Sequence, residues 1–293
     1  MASAGGIERI LKRDRLVVIA ALAVIIAASW AYVLAGAGMG MSAFETSSLS
    51  MALGQSAPMP MAQGMGSVAM GGAMGAMATP VAWTTGYAVL MFFMWWIMMI
   101  AMMLPSAAPM VLLHTAVTRK SSQAKATGAP WAAGTFTLGY LAAWAVFSVV
   151  AVALQWRFER AGVLSPMTLN SKNALFAGAI LLFAGIYQLT PLKQACLKHC
   201  RGPVDFLTRH WRPGAGGAFV MGLHHGAFCL GCCWGLMAIL FFGGIMNLYW
   251  IIGLALLVLA EKALPHGPWI GRVTGTTLLA GSGLMFGSAA GAF

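Results

Sequence analysis

The hydrophobic positions of this chain fall into seven long runs separated by short polar segments. A run of about 20 apolar residues is long enough to cross the hydrocarbon core of a bilayer as an α-helix. The pattern therefore predicts an all-α fold, a polytopic transmembrane helical bundle of about seven spans. The predicted spans are residues 16–35, 86–117, 130–155, 173–192, 216–243, 246–260 and 273–293.

The composition supports this class of protein. Hydrophobic residues make up 60% of the chain and charged residues only 8%, whereas about a quarter of the residues of a soluble domain are charged. The mean hydropathy is +0.83. We therefore expect a multi-pass protein of the bacterial inner membrane, with the lipid bilayer as its first partner.

The net charge of +11 would suggest nucleic acid as a partner in a soluble chain. Here the basic residues lie in short segments between apolar runs, and no nucleic-acid motif is present, so no nucleic-acid partner is expected. With a cytoplasmic N-terminus, 14 of the 17 Lys and Arg residues fall on the inner side and 3 on the outer side. Because basic residues concentrate in cytoplasmic loops, this distribution predicts an N-in, C-out topology.

Three regions follow from this arrangement. Residues 1–35 are predicted to form a basic head and a first transmembrane helix, which we expect to be retained although it resembles a signal peptide. Residues 36–80 form a Met-rich extracytoplasmic loop, and residues 81–293 form a six-helix metal-binding membrane domain.

The loop 36–80 is rich in Gly, Ala and Ser and carries nine methionines. Thioethers are neutral soft ligands, so clustered methionines in an oxidising compartment suit Cu(I). A flexible loop of biased composition is the alternative interpretation. The nine are Met39, Met41, Met51, Met59, Met61, Met65, Met70, Met74 and Met77.

The fifth run contains the densest set of candidate ligands, in MGLHHGAFCLGCCWGLM at 221–237. On a helix, His225, Cys229 and Cys233 lie one above another at four-residue spacing, with Cys232 one turn from Cys229. Met221 extends the same row. Imidazole and thiol groups in lipid need partners, so this row predicts a metal site. His224 points about 100° away from His225 and is interpreted as a packing or supporting residue.

The second run holds a methionine stripe and two prolines. Met94, Met98 and Met102 recur every four residues, which predicts either core packing or a pathway lined by thioethers. Pro105 and Pro109 should kink or break this helix.

A second cysteine pair lies in the basic connection 193–214. Cys196 and Cys200 are four residues apart, which places two thiols on one face of a helix end near the cytoplasm. The spacing is compatible with a metal site on the inner side, and equally with two unrelated thiols.

Four further features lead to structural expectations. His114 is expected to bond to a carbonyl, and Glu261 to form an interfacial pair with Lys262. Small-residue motifs on the fifth and last runs predict close helix packing. These motifs are Gly222/Gly226 and Gly231/Gly235 on the fifth run, and Gly283/Gly287/Gly291 on the last.

Several of these segments together resemble a family of bacterial integral membrane proteins described as predicted metal-binding, without an assigned reaction. The resemblance covers residues 85–265 and implies a polytopic helical fold with a metal site at the five cysteines and His225. It is carried by WWIMMIAMMLPSAAP (95–109), YQLTPLKQACLKHCRGP (187–203), GLHHGAFCLGCCWGLM (222–237) and GIMNLYWI with the following EK (244–262).

Thiolate, imidazole and thioether ligands together favour copper as Cu(I), with zinc as the second choice, and the scarcity of carboxylates excludes calcium and magnesium.

The sequence favours a protein that binds a soft metal for transport or delivery, exchanging it with a metal chaperone. The alternative is an accessory subunit of a larger membrane copper enzyme complex. No Ser/His/Asp set or carboxylate pair indicates a hydrolase, and a thiol oxidoreductase is the weaker alternative because vicinal cysteines form strained disulfides.

Overall fold

The computed structural model describes residues 4–37, 47, 83–120, 129–164 and 173–291, and the described part is built from α-helices. The nine methionines predicted to form a copper-capturing loop, Met39 to Met77, lie outside the described residues. The helices are α1 Ala4–Leu34, α2 Thr85–Lys120, α3 Ala129–Arg160, α4 Ala174–Leu189, α5 Pro191–Arg201, α6 Pro203–His210, α7 Gly214–Met237, α8 Leu240–Gly243, α9 Leu248–Ala263 and α10 Gly267–Ala289.

Each of the seven apolar runs forms a helix, so the all-α prediction is confirmed for the described residues. Four stretches are long and apolar enough to cross a membrane: Arg15–Leu34, Thr85–Arg119, Trp131–Arg160 and Gly214–Gly243. Helices α4 and α5 together form a fifth candidate, bent by 63° at Thr190. Helix α9 has 16 residues and is shorter than a typical span.

The basic connection between the fourth and fifth runs is mostly helical, and its helical structure extends well beyond the helix end expected at Cys196 and Cys200. Thr190 caps α5 by accepting a hydrogen bond from the backbone N–H of Lys193, at 3.3 Å, and Pro191 occupies the first turn. Helix α5 is amphipathic: Lys193 and Leu197 are buried, while Lys198 is exposed. The segment therefore packs on the bundle instead of leaving it.

Helix α2 runs without interruption from Thr85 to Lys120, so the expected break at Pro105 and Pro109 does not occur. Each proline removes one backbone donor from the helix ladder. The neighbouring carbonyl of Met103 accepts hydrogen bonds from Ser106 Oγ at 2.8 Å and from Tyr140 Oη at 3.2 Å. Side-chain hydroxyl groups thus contact the backbone of the continuous helix just before Pro105.

Glycines of α7 allow three helices to approach it closely. A Cβ on Gly222 would overlap the backbone of Phe136 in α3, and one on Gly226 would lie 2.6 Å from Ala143. On another face, Gly231 and Gly235 lie against Cys196 of α5 and Tyr187 of α4. Close packing on both small-residue motifs of this helix is therefore confirmed.

The last helix packs through different glycines from those predicted. A Cβ on Gly275 would lie 2.8 Å from Leu189 of α4, and one on Gly185 of α4 would lie 2.9 Å from Leu279. In the part of the chain that the structure describes, no atom lies within 4 Å of a Cβ added to Gly283. The buried face of α10 is thus the one that carries Gly271, Gly275 and Ser282.

Two short helices end halfway along α7, and this positions the candidate site. Helices α4 and α9 have 16 residues each, about 24 Å, whereas α7 has 24 residues, about 36 Å. Tyr187, in the last turn of α4, donates a hydrogen bond to the Gly231 carbonyl. Lys262, in the last turn of α9, reaches Cys229. The central turns of α7 are therefore surrounded by the ends of other helices.

Candidate metal centre

The cysteines of α7 lie at the centre of the bundle. Cys229, Cys232 and Cys233 are each 1% exposed. Spacings of three and four residues place them on one side of the helix, as the sequence predicts. They face helices that carry two further sulfur atoms.

Cys200 of α5 and Met103 of α2 supply those sulfur atoms. The Sγ atoms of Cys232 and Cys200 are 3.9 Å apart, and Cys233 Sγ lies 3.8 Å from Met103 Sδ. The Cys200 side chain also interacts with that of Cys229. We refer to Met103, Cys200, Cys229, Cys232 and Cys233 as the sulfur cluster.

These separations match those of two sulfur ligands on one metal ion. With metal–sulfur bonds of about 2.3 Å, two ligands lie about 3.8 Å apart at a tetrahedral angle and about 4.6 Å apart when linear. Within the described ranges, no three His, Cys, Asp or Glu side chains form a group that could hold a metal ion. The close approaches are therefore pairs of sulfur atoms, one pair including the thioether of Met103. Such pairs suit an ion that accepts low coordination numbers.

Cys229 is the polar centre of the cluster. Its Sγ accepts a hydrogen bond from the ammonium group of Lys262 at 3.0 Å and lies 3.1 Å from Tyr140 Oη. Lys262 also donates to Ser106 Oγ at 3.1 Å. A positive charge beside a thiol favours the thiolate, which is the form that binds metals.

The other two thiols of α7 have a different role in the hydrogen bonding. Cys232 Sγ and Cys233 Sγ donate to the backbone carbonyl of Cys229, at 3.1 and 2.9 Å. These thiols therefore carry their protons in this arrangement. Metal binding at either sulfur would release a proton, as is usual for thiolate ligation.

A buried charge network joins the ends of three helices, α4, α5 and α9, beside the cluster. Lys193 Nζ lies 2.6 Å from Glu261 Oε2, and the two side chains are 0% and 1% exposed. Gln188 donates to the same carboxylate, and Arg201 donates to the Glu261 carbonyl at 2.8 Å. The predicted Glu261–Lys262 pair is therefore wrong: consecutive residues point about 100° apart on α9, so Lys262 faces the sulfur cluster instead.

The remaining predicted ligands lie outside these close contacts. Cys196 is half-buried and faces Gly231, where an added Cβ would lie 2.7 Å from its sulfur. Met221 Sδ accepts a hydrogen bond from the Arg212 N–H at 3.3 Å, near the start of α7. The stripe of Met94, Met98 and Met102 is 0–2% exposed within the core.

Two buried histidines have a ring nitrogen without a hydrogen-bond partner among the described residues. His225 packs among Tyr140, Phe206 and Phe136, and its Nδ1 is unpaired within the described part of the chain. The Nδ1 atom of His114 is likewise unpaired, so the expected carbonyl bond is not made at this nitrogen. The His114 ring instead stacks on Phe136, with centroids 4.8 Å apart.

Sequence reasoning missed Met103, Tyr140 and Lys262. Met103 adjoins the predicted stripe at Met102, but lies about 100° around the helix from it. An ionisable residue at the end of an apolar helix is by default a functional candidate, and that rule would have identified Lys262. No local signal marks Tyr140.

Comparison with known proteins identifies a family. The family model described as PpoB2, copper chaperone, matches residues 92–285. The match extends beyond the predicted region of resemblance, 85–265, into α10. No curated protein and no solved structure matches this chain. Because residues 92–285 make up about two thirds of the 293 residues and include the whole sulfur cluster, the chain belongs to the PpoB2 family of copper chaperones.

Proposed function

We propose that this protein is a membrane-embedded copper chaperone that binds Cu(I) at the sulfur cluster and delivers it to a recipient protein. The observation that carries the proposal is the meeting of thiols from α5 and α7 with a thioether from α2, at sulfur–sulfur distances of 3.9 and 3.8 Å. These side chains are remote in sequence, so the fold itself brings soft ligands together. The copper chaperone family supports copper as the cargo.

Cu(I) fits the ligand chemistry better than zinc does. Thiolates and thioethers are soft ligands that select Cu(I), whereas zinc gains little from methionine. The carboxylate nearest to the cluster, Glu261, is already paired with Lys193. Zinc remains the second choice, bound through cysteines alone.

A location in the bacterial inner membrane is supported by the four stretches that are long and apolar enough to span it. In the proposed N-in orientation, the ends of α4 and α9 face the cytoplasm. The sulfur cluster then lies at the depth where these short helices end, covered by α5 and α6.

Copper would approach from the Met-rich segment 36–80 along the α2 stripe Met94, Met98 and Met102. It would leave past Cys200 and Cys196.

Metal analysis of the purified full-length protein tests this function. We expect copper to co-purify after growth in copper, or to bind as Cu(I) under reducing conditions. Replacing both Cys229 and Cys233 by Ser should remove most of it. Cys196→Ser is the matched comparison, because this thiol lies outside the close sulfur contacts and its loss should reduce copper less. Copper-free wild-type protein, together with unchanged metal content in the double variant, would contradict the proposal.

An accessory role in a larger membrane copper enzyme complex is a second proposal. It is favoured by the outer face of α10, where no atom of the described residues lies within 4 Å of a Cβ added to Gly283, since small residues allow another helix to approach closely. Extraction in a mild detergent followed by native mass measurement tests it. A larger complex containing other subunits supports the accessory role, and a lone monomer or homo-oligomer contradicts it.

A further inference from the structure

Three histidines from three different helices meet next to the sulfur cluster. His199 of α5, His210 of α6 and His224 of α7 are all partly exposed. The ring centroids of His199 and His210 are 6.4 Å apart, and those of His210 and His224 are 6.0 Å apart. His210 is therefore the shared member of two neighbouring pairs.

We propose that these histidines form a second Cu(I) site, in which His210 binds copper together with either His199 or His224. This inference rests on the proposed function, because it takes Cu(I) as the cargo. Copper enters or leaves the buried sulfur cluster through this partly exposed site, and the oxidation state of the copper does not change.

Hydrogen bonds fix the tautomer of two of the rings. His199 Nδ1 lies 2.9 Å from the Ala195 carbonyl, and His210 Nδ1 lies 3.1 Å from the Phe206 carbonyl. A carbonyl oxygen only accepts, so each Nδ1 carries the hydrogen. The lone pair of each neutral ring is then on Nε2. Metal-binding histidines commonly donate their other ring N–H in this way, which fixes the ring orientation.

Aromatic packing restrains the same two rings. His199 stacks on Phe228 with centroids 4.2 Å apart and planes 3° apart. His210 stacks on Phe206 with centroids 4.7 Å apart. Stacking therefore holds the His199 and His210 rings in defined orientations, even though both side chains are partly exposed.

The ring spacings are close to those of a bridged pair. With metal–nitrogen bonds of about 2.0 Å and a ring nitrogen about 1.1 Å from its centroid, two rings on one ion have centroids about 5 to 6.3 Å apart. The His210–His224 spacing of 6.0 Å lies within this range, and the His199–His210 spacing of 6.4 Å lies about 0.1 Å above it. No preformed group of three ligands exists among the described residues, so binding by pairs is the arrangement that the geometry supports.

The chain connects this site directly to the sulfur cluster. His199 immediately precedes Cys200, and Phe228, on which His199 stacks, immediately precedes Cys229. The histidine site is therefore adjacent in sequence to cluster residues on both α5 and α7. Because consecutive helical residues point about 100° apart, His199 and Cys200 lie on neighbouring faces of α5.

Cu(I) titration of the full-length protein, read by X-ray absorption at the copper edge, tests the site. We expect one population of copper with sulfur neighbours and a second with nitrogen neighbours. His210→Ala should weaken the nitrogen-bound population by at least about tenfold and leave the sulfur-bound population unchanged. His199→Ala and His224→Ala should each have a smaller effect, and their combination should match His210→Ala. His266→Ala, in the exposed turn before α10, is the control.

The possible outcomes distinguish the histidine site from the sulfur cluster. Wild-type protein without nitrogen-bound copper, or a His210→Ala variant that retains it, overturns the histidine site. The same titration on the Cys229→Ser/Cys233→Ser variant should preserve the nitrogen-bound population. Loss of that population there, with the fold intact by circular dichroism, would overturn an independent histidine site. Absence of sulfur-bound copper from the wild type would contradict the proposed function alone.

Discussion

The ammonium nitrogen of Lys262 lies 3.0 Å from the sulfur of Cys229, although the residues are 33 positions apart in the chain. Lys262 reaches the cluster from the last turn of α9, beside the paired Glu261. A cation in this position compensates the negative charge of a thiolate inside the bundle. Two thiolates, one Cu(I) and one ammonium together have no net charge, which lowers the cost of burying the loaded site.

We therefore expect Lys262→Met to weaken Cu(I) binding by about 10–100-fold, whereas Lys262→Arg should retain more of the affinity. Competition with a chromogenic Cu(I) chelator measures the change. Lys198→Met is the matched control: it removes the same charge from an exposed position, in a groove lined by Arg201 and Pro268. Equal losses in the Lys262 and Lys198 variants would show that only overall charge matters.

Methionines of α2 provide a test of which thioether belongs to the cluster. Met103→Leu removes the sulfur 3.8 Å from Cys233 and should weaken Cu(I) binding roughly tenfold. Met98→Leu changes a residue that is equally buried in the same helix and should leave the equilibrium affinity unchanged. Both are volume-conserving changes that cost less than about 1.5 kcal/mol of stability. Competition with a Cu(I) chelator measures the affinity of each variant. A larger loss of Cu(I) affinity in Met98→Leu than in Met103→Leu would identify Met98 as the thioether ligand instead.

The positions of the long helices could be predicted from the sequence because hydropathy over about 20 residues is a strong signal. Helices α5 and α6 could not, since a short amphipathic helix with Lys193, Lys198 and Arg201 has the average composition of a polar loop. Lys193 is buried only because Glu261, 68 positions away, pairs with it. Such a contact leaves no trace in a local window.

Spacing predicted cluster residues on α7 and at Cys200 of α5, but it gave no sign that they would meet one another or Met103. Four-residue spacing places Cys229 and Cys233 on one face of α7 in any helical fold. The contact between Cys233 and Met103 joins residues 130 positions apart, and it depends on how α2 is rotated against α7. Spacing alone gives no information on that rotation, so the neighbouring Met102 was as plausible a ligand as Met103.

The close packing of α5 on α7 should determine the position of Cys200, the cluster thiol that α5 carries. A Cβ on Gly231 would lie 2.7 Å from Cys196 Sγ, so Gly231→Ala should displace α5 and separate Cys200 from Cys232. We expect a roughly tenfold loss of Cu(I) affinity and a destabilisation of about 1–3 kcal/mol. Gly253→Ala is the control, because no atom of the described ranges lies within 4 Å of its added Cβ. Unchanged copper affinity in Gly231→Ala would show that Cys200 is not required.

The buried pair of Lys193 and Glu261 should dominate the stability of this end of the bundle. Their atoms are 2.6 Å apart, and the side chains are 0% and 1% exposed. Removing one partner of a buried pair leaves an uncompensated charge and costs about 3–5 kcal/mol. Lys193→Met and Glu261→Gln should therefore each lower the thermal unfolding temperature in detergent. The double variant should be more stable than either single one, because it buries no unpaired charge.

A double-mutant cycle on thermal unfolding measures the coupling between Lys193 and Glu261 separately from any effect on copper binding. Arg209→Met and Asp205→Asn form the matched control, since that pair is similarly close, at 2.9 Å, but is 70% and 58% exposed, and exposed pairs contribute about 0–1 kcal/mol. Strictly additive losses for Lys193 and Glu261 would contradict a coupled pair. Because Glu261 precedes Lys262 on α9, the single variants should also weaken Cu(I) binding, and the double variant should restore part of it as the last turn of α9 regains its position.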